Sequence, residues 1–148
     1  MPNGRAHMTA TFAVAATTPF GLLAFGASLP DVGAYALGCL AGIVLTPDLD
    51  VDDGCLSMHV IRRLFGRVAG WLWQVFWTPY ALAMPHRSFL SHGPIVSTLI
   101  RLAYIGAWAT AAIWFFKLPM PSWSPLWLWA FGGLVVSDST HTAMDWLF

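Results

Sequence analysis

The fold is decided by residues 94–116, whose sequence reads PIVSTLIRLAYIGAWATAAIWFF and carries a single charge, Arg101. A helix needs about 20 consecutive, mostly apolar residues to cross a bilayer, and this stretch is long enough. Three further apolar runs, residues 8–28, 32–46 and 126–146, are predicted to span in the same way. The sequence therefore predicts an all-α, polytopic membrane protein with about four transmembrane helices, forming a single membrane domain over residues 1–148.

A fifth apolar segment, residues 68–84, has a different composition. It contains Gln74, Pro79 and three tryptophans between positions 71 and 77. Because tryptophan favours the boundary between lipid and water, we predict an interfacial or re-entrant helix here. A fifth transmembrane span is the alternative.

The composition of the whole chain supports a membrane protein. Of 148 residues, 57% are hydrophobic and 9% are charged, whereas soluble domains carry about 25% charged residues. The seven basic and seven acidic residues balance, which excludes a disordered, highly charged chain and the basic face of a nucleic-acid-binding protein. The expected partners are the lipid bilayer, with an oligomer or a larger membrane complex left open.

Basic residues predict the orientation, because they mark the cytoplasmic side of a membrane. Arg5 precedes the first span. Four more basic residues lie between the second and third spans: Arg62, Arg63, Arg67 and Arg87. Only Lys117 lies between the third and fourth spans. We therefore predict a bacterial inner-membrane protein with both termini in the cytoplasm. Arg101 is expected either to reach back to the cytoplasmic surface or to face a polar interior.

With this topology, eight imidazole and carboxylate side chains from four stretches of chain fall at the cytoplasmic end of the bundle. Such convergence predicts one shared metal site. The candidate metal ligands are His7, Asp48, Asp50, His86, His92, Asp138, His141 and Asp145. On a helix, positions 138, 141 and 145 lie within about 60° of one another, and ionisable groups inside a membrane are usually functional. The alternatives are a helix end solvated in the headgroups and, for Asp48 and Asp50, a polar turn.

The densest polar cluster is residues 85–94, PHRSFLSHGP. A bent loop ahead of Pro94 could bring both of its histidines onto one metal. The hydroxyls of Ser88 and Ser91, with Arg87, would suit a phosphate or the groups that orient metal ligands. The alternative is an interfacial loop whose histidines meet lipid headgroups.

Imidazole with carboxylate is a ligand set for zinc, with manganese or iron as alternatives, rather than for calcium or magnesium. The number of candidates exceeds what one structural zinc needs and suits two or more ions bridged by a carboxylate. Such sites activate water and stabilise both oxygens of a phosphoester displacement. Arg87 would then be the catalytic residue that stabilises developing negative charge.

Several motifs together resemble a small bacterial family of metal-binding membrane proteins. They are MPNGRAH at residues 1–7, Pro47-Asp48-Leu49-Asp50, Pro79-Tyr80, the motif at residues 85–94, and Asp138 followed by Asp145-Trp146. That family is similar to the LexA-regulated inner-membrane metal-dependent hydrolases of the YdjM type, which in turn resemble the zinc-dependent phospholipase C and single-strand nuclease superfamily. The resemblance implies a helical metal site of phosphoesterase ancestry, with ligands His7, Asp48, His86, His92, His141 and Asp145.

The leading functional hypothesis is a membrane-bound, metal-dependent hydrolase acting on a phosphoester of a lipid or lipid-linked substrate at a cytoplasm-facing site. One alternative is a non-enzymatic metal-binding membrane protein or an accessory subunit of a membrane complex. A second alternative is a transporter, which would need a polar path towards Lys117.

Overall fold

The computed structural model describes residues 4–50, 55–86 and 88–147, and this part of the chain is all-α. No strand occurs within these ranges, so the all-α prediction is confirmed. The helices are α1 (Gly4–Ala24), α2 (Leu29–Ala41), α3 (Leu56–Ala83), α4 (Phe89–His92), α5 (Val96–Phe116) and α6 (Leu126–Leu147), with a 3-10 turn at Pro47–Asp50.

The predicted spans correspond to these helices with changed boundaries. By length and composition, α5 is the one helix in the described ranges that is apolar enough to cross a membrane. The predicted span 32–46 is instead the 13-residue helix α2, about 20 Å long and shorter than a hydrocarbon core of about 30 Å. The arrangement with four spans therefore stays a prediction.

Small residues bring α2 and α6 into close contact. A Cβ atom at Gly38 would lie 1.9 Å from the carbonyl oxygen of Ala130, and one at Gly133 would lie 2.0 Å from that of Tyr35. The Cys39 thiol donates to the carbonyl of Gly133 over 3.1 Å. Close backbone approach through small residues is typical of helix pairs in membranes, and here it places the end of α2 beside α6.

Helix α3 reverses its direction at Gly66. This residue has φ 91° and ψ 175°, a backbone conformation that favours glycine. The two arms then pack together, because Trp73 Nε1 donates to Ser57 Oγ over 2.9 Å. The predicted segment 68–84 thus corresponds to the second arm of a helical hairpin that begins at Leu56, and its position relative to a membrane stays a prediction.

An aromatic cluster joins the second arm of α3 to α5 and to the 3-10 turn. Leu49, Trp77 and Tyr80 are buried together, and Tyr104 packs against them. The Tyr104 hydroxyl also donates to the carbonyl of Phe76. Because Leu49 lies between Asp48 and Asp50, this packing fixes the position of both carboxylates.

Candidate metal centre

Seven of the eight predicted ligands form one connected cluster in the structure. It joins the first turns of α1, the 3-10 turn, the loop around α4 and the last turns of α6. We call this cluster the metal centre; its members are His7, Asp48, Asp50, His86, His92, His141 and Asp145.

Two sets of three side chains in the metal centre bring their donor atoms within 4.8 Å of one another; they are Asp48, His92 and His141, and His7, His141 and Asp145. His141 Nε2 lies 3.3 Å from Asp48 Oδ1 and 3.4 Å from Asp145 Oδ2. His92 Nε2 lies 3.8 Å from each of these two oxygens. Donors about 2.1 Å from a tetrahedral zinc ion are about 3.4 Å apart, so the contacts of His141 with the two carboxylates have the spacing of ligands to one ion.

The set that contains His7 shares His141 with the first set. His7 Nε2 lies 3.3 Å from Asp145 Oδ1, the oxygen that does not face His92 and His141. The His7 ring stacks on the His141 ring with 3.9 Å between centroids and 18° between planes. Asp145 therefore presents one oxygen to His7 and the other to His92 and His141, as a bridging carboxylate does.

Three histidines of the centre, His7, His92 and His141, are buried, and each has one ring nitrogen without a hydrogen-bond partner among the described residues. His92 is 7% exposed and His141 is 5% exposed. Among the described residues, His92 Nε2 and His141 Nε2 have no hydrogen-bond partner. Because buried polar atoms in proteins are normally paired, two such nitrogens beside two carboxylates fit a bound cation.

The other ring nitrogens of these two histidines contact groups that orient the rings. Asp50 lies 3.6 Å from His92 Nδ1 through one oxygen and 2.9 Å from His86 Nδ1 through the other. Ser91 Oγ is 3.0 Å from His92 Nδ1, and Thr46 Oγ1 is 3.4 Å from His141 Nδ1. Carboxylates and hydroxyls behind a ligating histidine fix its ring orientation and raise its basicity.

The electrostatics of Asp48 suit a ligand. Burial acts to raise the pKa of its carboxyl, but the adjacent imidazoles of His141 and His92 outweigh burial and hold the pKa below its ordinary value. The side chain keeps 28% of its surface exposed. Asp48 is thus a carboxylate at neutral pH, and it lies on the accessible side of the centre.

Asp138 and His86 differ from the other predicted ligands. Asp138 lies outside the metal centre, where Arg101 and Thr98 donate to its carboxylate. His86 lies at the rim with 46% of its side chain exposed, and it belongs to neither group of converging donors within the described chain. Arg87, the predicted catalytic residue, lies outside the described residues.

Thr46 and Thr142 were not predicted, although both contact histidines of the centre. Thr142 Oγ1 donates to the carbonyl of His92 over 2.7 Å. A single threonine in a sequence gives little indication of a functional role. The only indication here is that Thr142 follows a predicted ligand, His141, and that Thr46 precedes Pro47. The hydroxyl of Ser91 was predicted to serve in this way, and it lies against His92.

Comparison with known proteins gives a family and no individual relative. No curated protein and no solved structure matches the chain. A family model described as uncharacterized metal-binding protein matches residues 2–126, a range that contains five members of the metal centre and ends before His141 and Asp145. The predicted link to inner-membrane hydrolases stays a prediction. Since the match spans most of the chain and the donor atoms converge as described, the chain belongs to the family of uncharacterized metal-binding proteins, DUF2227.

Proposed function

We propose that this metal-binding protein is a membrane-bound hydrolase that cleaves a phosphoester in a lipid or lipid-linked substrate. The observation that carries the proposal is that Asp145 contacts two imidazoles through different oxygens, Oδ1 beside His7 and Oδ2 beside His141. A carboxylate that presents its two oxygens to different imidazoles supports a centre for two neighbouring ions, as in many phosphoesterases.

The number of donors in each set favours catalysis. The set of Asp48, His92 and His141 and the set of His7, His141 and Asp145 each offer three protein ligands. An ion with few protein ligands keeps positions open for water and substrate.

Each side chain then has a distinct task. His7 and Asp145 would hold one ion, while Asp48, His92 and His141 would hold its neighbour. Asp50, Ser91 and Thr46 orient the imidazoles and keep the Nε2 atoms directed inward. Bound divalent cations would supply Lewis acidity and an activated water. Arg87, next to His86 in sequence, remains our candidate for stabilising charge on the phosphoryl group.

The surface of the protein supports a substrate in the membrane. Large apolar side chains are exposed at the end of α5 and in the following loop, among them Trp114 at 73%, Phe115 at 71% and Trp123 at 72%. Soluble monomers rarely expose large contiguous apolar patches. An active site at one end of such a bundle could accept a headgroup whose acyl chains stay in lipid.

The proposal is tested with purified protein reconstituted in liposomes. Release of the phosphorylated or alcohol product from a phospholipid is measured before chelation, after chelation, and after zinc or manganese is restored. We expect chelation to abolish hydrolysis and metal to restore it, and His7→Ala to lose activity. His59→Ala, a histidine outside the metal centre, is the matched control. Metal-loaded protein that cleaves neither phospholipids nor small phosphodiesters would contradict the proposal.

One observation favours the alternative of a non-enzymatic metal site. Asp145 Oδ2 lies 3.4 Å from His141 Nε2 and 3.8 Å from His92 Nε2, and as a fourth ligand it would close the coordination shell, as in structural sites. A metal-binding membrane protein or an accessory subunit would need only this position. Under that alternative, the His7→Ala variant binds as much metal as wild type and keeps every function of the protein.

A further inference from the structure

A second polar cluster lies in the interior between α5 and α6. Arg101 donates through Nη2 to Asp138, and Thr98 donates to the same carboxylate oxygen. All three side chains are fully buried. We call this group, which consists of Thr98, Arg101 and Asp138, the buried polar cluster.

This cluster is costly for stability. A buried ion pair pays a large desolvation penalty, which is recovered only with good geometry and complete hydrogen bonding. In the described part of the chain, Arg101 Nε, Arg101 Nη1 and Asp138 Oδ1 have no hydrogen-bond partner. Apolar residues of similar volume would commonly stabilise such an interior at least as well. The cluster therefore calls for an explanation other than stability.

The position of this cluster relative to the metal centre provides an explanation other than stability. Asp138 lies one turn before His141 on α6, and Thr98 and Arg101 lie in the first turns of α5, which His92 precedes. The second contact in the same region is the hydrogen bond from Thr142 to the carbonyl of His92. Two polar links thus join α6 to the chain segment 92–101, and His141 lies between them.

We infer that Arg101, Asp138 and Thr142 are positioning residues that set the separation of His92 and His141. An ion pair with directional hydrogen bonds allows one rotation and one axial register of α5 against α6, whereas apolar packing would permit several. With that register fixed, both Nε2 atoms meet the same two carboxylate oxygens. The inference uses the metal centre of the proposed function but does not depend on hydrolysis.

The test measures metal binding rather than activity. Wild type, Asp138→Asn, Arg101→Lys and Thr142→Val are purified without metal and titrated with zinc and with Co²⁺, whose visible spectrum reports ligand geometry. We expect Asp138→Asn to bind zinc about 10–100-fold more weakly, the range for residues that orient metal ligands, and its Co²⁺ bands to shift. Thr142→Val, which is close in shape, should change both readouts in the same direction. Arg101→Lys keeps the charge opposite Asp138 and should lose less zinc affinity than Asp138→Asn.

Asp31→Asn serves as the control, because Asp31 caps α2 and contacts Ser28 outside the centre. Its affinity and spectrum should equal those of wild type. Unfolding of the metal-free proteins is measured in parallel. If Asp138→Asn and Thr142→Val lower stability but keep wild-type affinity and spectrum, the residues are structural and the inference is wrong. If Asp138→Asn fails to fold, the affinity and spectrum of Thr142→Val decide by the same criterion.

Discussion

At the residue scale, Asp145 has the most connected position in the metal centre. One of its oxygens contacts His7, and the other contacts His92 and His141. The side chain is 14% exposed, so little water is available to replace a lost contact. Removal of its charge should therefore disturb every ion position at once.

Asp145→Asn is expected to weaken zinc binding by more than about 100-fold, because changes in groups behind the ligands already cost about 10–100-fold. The asparagine keeps the shape of the side chain but cannot bridge as a carboxylate. Competition with a chromophoric chelator measures the affinity, and Asp31→Asn is the control. Unchanged affinity in Asp145→Asn would remove Asp145 from the ligand set.

Asp50 is expected to act through the histidines it contacts. Asp50→Asn should weaken zinc binding by about 10–100-fold, because the carboxylate no longer holds the Nδ1 sides of His86 and His92. His86→Ala should have a smaller effect than His92→Ala. An equal, complete loss of metal in His86→Ala would instead make His86 a direct ligand.

The pH dependence of the metal-free protein should show the lowered pKa of Asp48. A carboxyl whose pKa is lower in the folded state stabilises the fold above its ordinary value and loses this contribution as pH falls further. The contribution should therefore be complete at pH 6 and decline below about pH 4. Chemical unfolding at pH 6, 4 and 3 should show a steeper loss for wild type than for Asp48→Asn, and identical slopes would contradict the assignment.

At the element scale, the contact between α2 and α6 positions two parts of the metal centre. Helix α2 leads into the 3-10 turn with Asp48, and α6 carries His141 and Asp145. Their close approach depends on Gly38 and Gly133, because a Cβ at either glycine would meet the backbone of the opposite helix.

Gly133→Ala and Gly132→Ala form a matched pair on α6. A Cβ at Gly133 would lie 2.0 Å from the carbonyl oxygen of Tyr35, whereas one at Gly132 meets nothing within 4 Å. Overpacking usually costs about 1–3 kcal/mol, while alanine favours an open helical position by about 1 kcal/mol. We expect Gly133→Ala to lower the free energy of unfolding and Gly132→Ala to keep or raise it. Equal effects would contradict the close packing.

The sequence predicts which segments are helical, but it predicts less well where the helices end and which of them pack together. The apolar run at residues 94–116 predicts α5 directly. The reversal at Gly66 has no clear signal, because a single glycine within an apolar and basic run is compatible with a continuous helix. The role of Asp138 was also missed, since sequence spacing places it on one face with His141 but does not reveal that Arg101 lies opposite.

At the scale of the whole molecule, the convergence of the metal centre was predictable from topology alone. Antiparallel helices bring alternate ends together, so His7, Asp48, His92 and Asp145 were expected at one end of the bundle, and the structure places them together. What could not be predicted is the role of each side chain within the metal centre. Side-chain packing decides which ring nitrogen of each histidine faces a carboxylate. This packing cannot be read from a single sequence.

The interior gives little support to the transporter alternative. Arg101 could begin a polar path, but it is fully buried and paired with Asp138. Beyond it, the remainder of α5 up to Lys117 carries no charged residue. A permeant ion would therefore need a partner copy or another protein to continue the path.

The predicted topology places both termini and the metal centre on the cytoplasmic side. A reporter fused after Phe148 and another inserted at Ser122, in the loop between α5 and α6, should give opposite readouts, cytoplasmic for the first and periplasmic for the second. A periplasmic signal at Phe148 would contradict the predicted orientation, and equal signals at both positions would contradict a transmembrane α6.

The assignment of bound metal to the clustered histidines and aspartates is tested most directly by elemental analysis of purified protein. Wild type is compared with His92→Ala, His141→Ala and the control His59→Ala. We predict at least one equivalent of zinc, manganese or iron in wild type and His59→Ala, and a large loss in the other two variants. Wild type without a transition metal, or full retention of metal in both His92→Ala and His141→Ala, would contradict the assignment.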